Sequence, residues 1–158
     1  MSQHPTSVIL GAGLMGRLLA CRLAQAGHRV VVHEAAQADA QGAAARAAAA
    51  MLAPLAESAI TELPVVRMGE YGLTAWPRLM ADLPEPVFFQ QAGTLILWHR
   101  QDAAEAQRFQ QLIQRTAQAM PSLPGPQAVD AEQLATLEPG LRHRFPQGLY
   151  LPGEGQLD

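Results

Sequence analysis

Residues 7–16 read Ser-Val-Ile-Leu-Gly-Ala-Gly-Leu-Met-Gly. The first four form a short apolar run that is typical of a buried strand, and Gly11 ends it. Leucines then recur at helical spacing as far as Ala26, and the β-branched run at 30–32 predicts a second strand over 29–33. Because a strand–helix–strand crossover sets its two strands parallel, this segment predicts a parallel βαβ unit.

The turn of this unit has the spacing Gly-x-Gly-x-x-Gly, at Gly11, Gly13 and Gly16. In such a turn the first glycine permits the tight bend, the second leaves room for a pyrophosphate, and the third lets the helix pack on the strand. The free N–H groups at the helix start then face the phosphates. Glu34 follows the second strand, where a carboxylate can accept from both ribose hydroxyls and would repel a 2′-phosphate. The pattern predicts a dinucleotide site, disfavours NADP, and leaves FAD and NAD open.

Composition excludes several classes of protein. Of the 158 residues, 49% are hydrophobic and 16% are charged, which is typical of a folded chain. The net charge of −3 and the absence of a basic run argue against a nucleic-acid binder. The lone cysteine, Cys21, excludes an intrachain disulfide, and five scattered histidines predict no metal site. No apolar run is long enough for a membrane span and no signal peptide is visible, so we expect a cytoplasmic location.

Beyond the βαβ unit the chain predicts an α+β arrangement. A helix over 61–83 is expected to bury one apolar face, which includes Val65, Met68, Gly72 and Trp76. Strands at 87–89 and 94–98 are predicted to form a hairpin. Asp102 and Asp130 are each expected to cap a helix, and a last strand is expected at 148–151. No terminal element is expected after it, so we interpret the chain as the N-terminal part of a larger protein.

The segment 35–56 contains thirteen alanines, a composition that by itself favours a helix interrupted by Pro54. Yet residues 46–54, followed by Glu57, resemble the Ala-Ala-Gly-Met-Leu-Ala-Pro element of FAD-dependent amine and amino-acid oxidoreductases. The resemblance is to glycine oxidases of the thiamine-biosynthesis type, within the D-amino-acid oxidase superfamily. Residues 92–95, 137–139 and 149–158 are similar to further landmarks of that family, in the same order.

The resemblance implies FAD as the cofactor, and it extends the candidate site beyond the glycine turn. Small residues suit the loop that it places along the flavin, since backbone N–H groups must approach the ring edge closely. At position 50 the family usually has glycine, whereas this chain has Ala50. The candidate cofactor residues are Gly11, Ala12, Gly13, Leu14, Met15, Gly16, Glu34, Ala35, Ala44, Ala45, Arg46, Ala49, Ala50 and Met51.

The resemblance also implies a fold and a reaction. It implies a Rossmann-like FAD-binding domain, begun here by residues 1–60, and a partial substrate domain with antiparallel strands over 61–158, with the C-terminal half of the parent protein absent. The parent would oxidatively deaminate glycine or a similar small amine or D-amino acid. Hydride would pass to flavin N5, and dioxygen would reoxidise the flavin to give hydrogen peroxide. The catalytic residues are unknown, a homo-oligomer is left open, and this chain alone is expected to be inactive.

Four alternatives stay open. A D-amino-acid dehydrogenase would pass its electrons to a quinone, and a sarcosine-oxidase-like enzyme would act on a related amine. A non-catalytic nucleotide-binding module, complete at Asp158, belongs to another class and would bind an ADP moiety without flavin reduction. An NAD-binding module would prefer NAD over FAD in a titration.

Overall fold

A computed structural model describes residues 4–37 and 41–157. The chain divides into two compact units, Met1–Ala49 and Ala50–Asp158, and each is described by itself. In the described residues no helix has both the length and the apolar character that a membrane span requires.

The first unit is the predicted βαβ unit. Strand β1 spans Thr6–Leu10, helix α1 spans Leu14–Gln25 and strand β2 spans Arg29–His33. The two strands pair in parallel, with Thr6 opposite Arg29 and Leu10 opposite His33, which confirms the prediction. Ile9 is the buried residue of β1. A 3-10 helix at Ala44–Ala47 follows.

The second unit mixes helices with two small antiparallel sheets, which confirms the predicted fold class. Its helices are α2 (Pro54–Glu57), α3 (Leu63–Met80), α4 (Ala103–Ala119) and α5 (Ala131–Leu137). Its strands are β3 (Met51–Leu52), β4 (Phe89–Gln90), β5 (Thr94–Leu97), β6 (Gln127–Asp130), β7 (Gln147–Leu151) and β8 (Gly155–Leu157). Strand β8 lies between β3 and β4, and strand β7 lies between β5 and β6.

The main core of this unit joins α2 and α4 to the central strand β7. Leu55, Ile113, Leu149 and Leu151 pack together with at most 2% of their surface exposed. At about 25 cal/mol per Å² of apolar surface, burial of each such side chain stabilises the fold by about 1.5–3 kcal/mol. Asp130 caps α5 through a capping box with Gln133, as predicted. Asp102 stands at the start of α4, but its side chain makes no capping hydrogen bond.

The predicted hairpin at 87–98 is wrong. Strand β4 pairs with β8 and strand β5 pairs with β7, so the two strands join different sheets. The cause lies at Gly93, whose φ of 87° turns the chain between the strands. The Gly93 N–H donates to the carbonyl of Glu154 at 2.9 Å instead of closing a local turn.

Two other expectations also fail. An element does follow β7, because strand β8 is the central strand of its sheet and pairs with both β3 and β4. The alanine-rich segment contains a 3-10 helix and a strand rather than an α-helix, and Pro54 begins α2 instead of interrupting a helix. Proline is favoured at the first helical position because the N–H that it lacks is unpaired there in any case. Residues 38–40 of the segment lie outside the described part.

Candidate functional site

The glycine turn joins β1 to α1, and each of its glycines has a different role. Gly11 has a φ of 96°, and its N–H donates to the carbonyl of His33 at 2.7 Å, which ties the turn to the end of β2. A Cβ on Gly16 would overlap the carbonyl oxygen of Gly11. A Cβ on Gly13 would meet nothing closer than the Ala43 Cβ at 4.0 Å. The fold therefore requires Gly11 and Gly16, whereas Gly13 leaves open space in front of the turn.

Glu34 is fixed beside this turn by backbone N–H groups. Ala12 donates to its Oε2, and Ala36 donates to its Oε1 at 2.9 Å. These bonds lower the pKa of the Glu34 carboxyl, with the Ala36 bond the largest cause and the Ala12 bond the next. The ionised carboxylate therefore stands at the end of β2 with lone pairs left to accept further hydrogen bonds. Ala35 follows it in an exposed segment.

The start of α1 offers unpaired donors. The N-cap is Gly13, and no side chain caps the helix, so the N–H groups of the first turn are not used within it. Arg17 contributes further, since its Nε donates to the carbonyl of Ala12 at 2.6 Å and its positive charge lies near Glu34. We did not predict Arg17 from the sequence. The sequence signal for Arg17 is a basic residue directly after the third glycine. This position lies at the N-terminal end of α1, and that end of a helix favours anions.

The alanine-rich loop begins beside the glycine turn, as the short distance between Ala43 and Gly13 shows. Ala44, Ala45 and Arg46 lie in the exposed 3-10 helix, and exposed Ala49 ends the first unit. The first unit thus brings the glycine turn, Glu34 and the start of this loop together. The small side chains leave the loop backbone accessible to a bound molecule.

The remaining candidates, Ala50 and Met51, belong to the second unit. Ala50 has a φ of 52°, the left-handed region that favours glycine, and its carbonyl accepts from the N–H of Leu157 at 2.9 Å. Met51 pairs with Gln156 in the sheet, and 49% of its surface is exposed. The loop thus enters strand β3 with a fixed backbone and an exposed side chain.

Sequence reasoning missed Glu154, which holds the end of this segment. Only 2% of its surface is exposed, and its Oε1 accepts from the N–H of Ala56 in α2. The sequence signal for this packed position is the pair of glycines on either side of Glu154. A Cβ on Gly155 would lie 2.7 Å from the carbonyl oxygen of Gln90, so the backbone packs too closely there for any other residue. A carboxylate between two glycines thus marks a packed turn and not a solvated one.

These features fit the ADP half of FAD. The open space at Gly13 and the unpaired N–H groups of α1 suit a diphosphate, and Glu34 suits a ribose. Nothing in the turn blocks the approach of such a group. The residues present therefore fit the cofactor that the sequence implied.

Comparison with known proteins gives the same picture. Residues 7–158 match the model of the DAO family, described as FAD dependent oxidoreductase. Iminodiacetate oxidase (IdaA) from Chelativorans sp. BNC1 superposes with a TM-score of 0.76 at 23% identity, over 96% of this chain and 40% of that chain. Glycine oxidase from Geobacillus kaustophilus gives 0.75 at 24% identity, over 98% of this chain and 41% of that one.

A third similar structure is glycine oxidase from Bacillus cereus ATCC 14579. Its TM-score is 0.75 at 19% identity, over 98% of this chain and 40% of that chain. This chain therefore spans about two fifths of the length of these solved chains. Comparison with curated proteins gives no match.

Proposed function

Because the chain belongs to the DAO family of FAD-dependent oxidoreductases, we propose that it forms the nucleotide end of the FAD site in an enzyme that oxidatively deaminates a small amine or amino acid. The observation that carries the proposal is the Glu34 carboxylate, held beside the glycine turn by the N–H groups of Ala12 and Ala36. Dioxygen as the electron acceptor, the thiamine-biosynthesis type, a cytoplasmic location and a homo-oligomer are further parts of the proposal.

Each part of the first unit has a role in holding the nucleotide. The free N–H groups at the start of α1 bind the diphosphate, and the helix dipole favours its negative charge. The open face at Gly13 lets the diphosphate approach the backbone. Glu34 accepts from the ribose hydroxyls, and its lowered pKa keeps it an acceptor at neutral pH.

The flavin end is proposed to lie along Ala49, Ala50 and Met51. FAD, when bound, would act as the electron acceptor in the oxidation of the amine. The chain supplies a backbone whose position is fixed, because Ala50 and Met51 are paired with strand β8. Small side chains before Met51 let that backbone approach the ring closely. The substrate and turnover are proposed for a protein of the full length seen in the similar structures.

Calorimetric titration of the chain with FAD and with ADP tests this proposal. Both ligands are expected to bind saturably, because both carry the diphosphate and the ribose. Glu34→Gln should weaken the binding of both FAD and ADP by about tenfold or more, since a hydrogen bond to a charged acceptor is worth about 1.5–3 kcal/mol. Glu62→Gln removes the same charge from an exposed residue outside the site and should leave binding unchanged.

Two results would overturn the proposal. One is the absence of saturable binding by either nucleotide to the folded chain. The other is an equal loss of affinity in Glu34→Gln and Glu62→Gln, which would assign the effect to net charge. Circular dichroism of each variant shows that the chain compared is folded.

A further inference from the structure

Residues 154–157 contact the β3–α2 segment, residues 50–56, at four successive points. Three of these contacts are made between backbones, and they join Leu157 to Ala50, Gln156 to Met51, and Gly155 to Leu52. The fourth contact is made by a side chain, since Oε1 of Glu154 accepts from the N–H of Ala56 at 2.7 Å. The β3–α2 segment is therefore held at its β3 end by backbone pairing and at its α2 end by one carboxyl.

The start of α2 needs a partner that its own neighbours do not supply. The N–H groups in the first turn of a helix have no partner within the helix. The N-cap residue is Ala53, whose methyl group cannot accept a hydrogen bond, and the helix then begins at Pro54. Pro54 and Leu55 are buried, so α2 begins inside the protein and not at its surface. The Glu154 carboxyl thus does from a distant part of the chain what a local capping side chain would do.

The stability of the fold does not by itself account for a carboxyl at position 154. Only 2% of the Glu154 surface is exposed, and its Oε2 has no hydrogen-bond partner among the described residues. Burial of a carboxyl costs free energy that an apolar side chain of similar size would avoid. The residue is also fixed through its backbone, because its carbonyl accepts from the N–H of Gly93 at 2.9 Å. Such local costs are typical of functional sites.

We propose that Glu154 is a positioning residue for the flavin end of the FAD site. Its bond to Ala56 fixes the α2 end of the β3–α2 segment, so that Ala50 and Met51 keep one position against the flavin. Met51 is 49% exposed, so this part of the segment is open to a ligand. The inference rests on the proposed function, which places the flavin along Ala49, Ala50 and Met51.

The affinity ratio of FAD to ADP isolates this role. Glu154 belongs to the second unit, whereas the proposed function assigns the ADP half of FAD to the first unit. In calorimetric titrations of the unmodified chain we expect FAD to bind about tenfold more tightly than ADP, because only FAD contacts the β3–α2 segment. Glu154→Leu removes the acceptor and should lower this ratio about fivefold to tenfold, with the ADP affinity unchanged.

Two further variants separate positioning from a general effect on the fold. Glu154→Gln keeps an oxygen that accepts from Ala56, so it should keep the affinity ratio within about twofold of the unmodified chain. Glu138→Leu is the matched control in the same unit. The exposed Glu138 carboxylate accepts from the N–H of Gly140 at 3.2 Å, away from the β3–α2 segment, and its loss should leave the ratio unchanged. A smaller folded fraction would weaken FAD and ADP equally and would not move the ratio.

Amide hydrogen exchange tests the positioning without any ligand. In Glu154→Leu the Ala56 N–H loses its acceptor, whereas the Leu157 N–H keeps its acceptor on Ala50. Exchange about tenfold faster at Leu157 would therefore show that the β3–α2 segment has lost its fixed position. We expect this acceleration in Glu154→Leu and not in Glu154→Gln, with exchange in β7 unchanged in both.

Three results would overturn the inference. They are an unchanged affinity ratio in Glu154→Leu, an equal loss of FAD and ADP affinity in that variant, and a loss of ratio in Glu154→Gln as large as in Glu154→Leu. Failure of the proposed function looks different. If the unmodified chain does not bind FAD more tightly than ADP, the flavin end of the proposed function is removed. Unchanged Leu157 exchange in Glu154→Leu would then overturn the positioning as well.

Discussion

The Ala56 N–H donates to Oε1 of Glu154 at 2.7 Å, across 98 positions of the chain. The carboxyl is buried, and its Oε2 has no hydrogen-bond partner among the described residues, although the Thr94 side chain lies near enough to favour the ionised form. The backbone of Glu154 accepts from Gly93 at 2.9 Å. One residue thus joins the turn before β8 to α2 and to the start of β5.

Burial is the largest influence on the Glu154 carboxyl, and it raises the pKa above the ordinary value of 4.5. A raised pKa means that the folded chain holds this proton to higher pH than the unfolded chain does. The free energy of unfolding should therefore fall as pH rises from about 4.5 through the raised pKa, and then level off. The loss is about 1.4 kcal/mol for each unit by which the pKa is raised.

Glu154→Gln should remove this dependence, because the amide keeps an acceptor for Ala56 and carries no charge to bury. Urea unfolding between pH 4.5 and 8, followed by tryptophan fluorescence, measures it in the second unit, where Trp76 and Trp98 lie. The difference between the two proteins isolates Glu154 from every other titrating group. A difference that stays constant over this pH range would contradict the prediction.

Ala50→Gly should stabilise the chain. A left-handed φ of 52° costs a residue with a Cβ about 1–2 kcal/mol, and glycine avoids that cost at the expense of a more flexible unfolded chain. We expect a net gain of about 0.5–1 kcal/mol in urea unfolding. Ala48→Gly is the control. Ala48 has a φ of −77°, so glycine relieves no strain there and the free energy of unfolding should fall by a similar amount. A loss in both variants would show that the left-handed conformation stores no strain.

Gly13→Ala and Gly16→Ala should separate binding from folding in the glycine turn. The Cβ of Gly13→Ala has open space, so amide hydrogen exchange in β1 and β2 should be unchanged while FAD binds about tenfold more weakly. The Cβ of Gly16→Ala overlaps the Gly11 carbonyl, so exchange in both strands should accelerate even without ligand. Unchanged FAD affinity in Gly13→Ala would place the diphosphate elsewhere.

The glycine turn and Glu34 could be predicted from the sequence because their determinants are local. Three glycines, a helical leucine period and an acid after a β-branched run lie within 28 residues, from 7 to 34. The strand pairs of the second unit are decided at long range. Phe89 pairs with Leu157 and Thr94 pairs with Leu151, so the short distance between β4 and β5 in sequence was misleading.

The buried face of α3 was missed for a similar reason. Periodicity finds an apolar stripe, but the elements that pack on a helix decide which stripe becomes core. Val66 packs with Met120 and Leu123, which lie more than fifty positions away, and this choice turns Val65 and Met68 outward. The partner of Glu154 is equally distant in sequence, so the flanking glycines indicate a packed turn but not that Ala56 is the residue that contacts this carboxyl.

Glu34 should make the nucleotide site discriminate against a 2′-phosphate. The lowered pKa keeps the carboxylate charged, and a phosphate on the ribose 2′ oxygen would face it directly. AMP is therefore expected to bind more tightly than 2′,5′-ADP, which is AMP with a second phosphate on the ribose 2′ oxygen, by about tenfold or more, and Glu34→Gln should narrow that ratio. A lowered pKa leaves Glu34 ionised until well into acid, whereas the 2′-phosphate takes up a proton at about pH 6. The affinity ratio should therefore stay flat from pH 8 to about 7 and fall only as the phosphate is protonated. Equal affinities for the two probes in the unmodified chain would remove Glu34 from the ribose site.

Thr61→Val should raise the free energy of unfolding in the absence of any ligand. The Thr61 hydroxyl is buried without a hydrogen-bond partner among the described residues, which costs about 1–3 kcal/mol, and valine has the same shape without the polar atom. We expect a gain of about 1 kcal/mol in urea unfolding followed by tryptophan fluorescence. Thr74→Val is the matched control, because the Thr74 hydroxyl donates to the carbonyl of Tyr71 at 2.9 Å and its removal should bring no gain. A loss of stability in Thr61→Val would contradict the prediction, because it would mean that the hydroxyl is already satisfied in the folded chain.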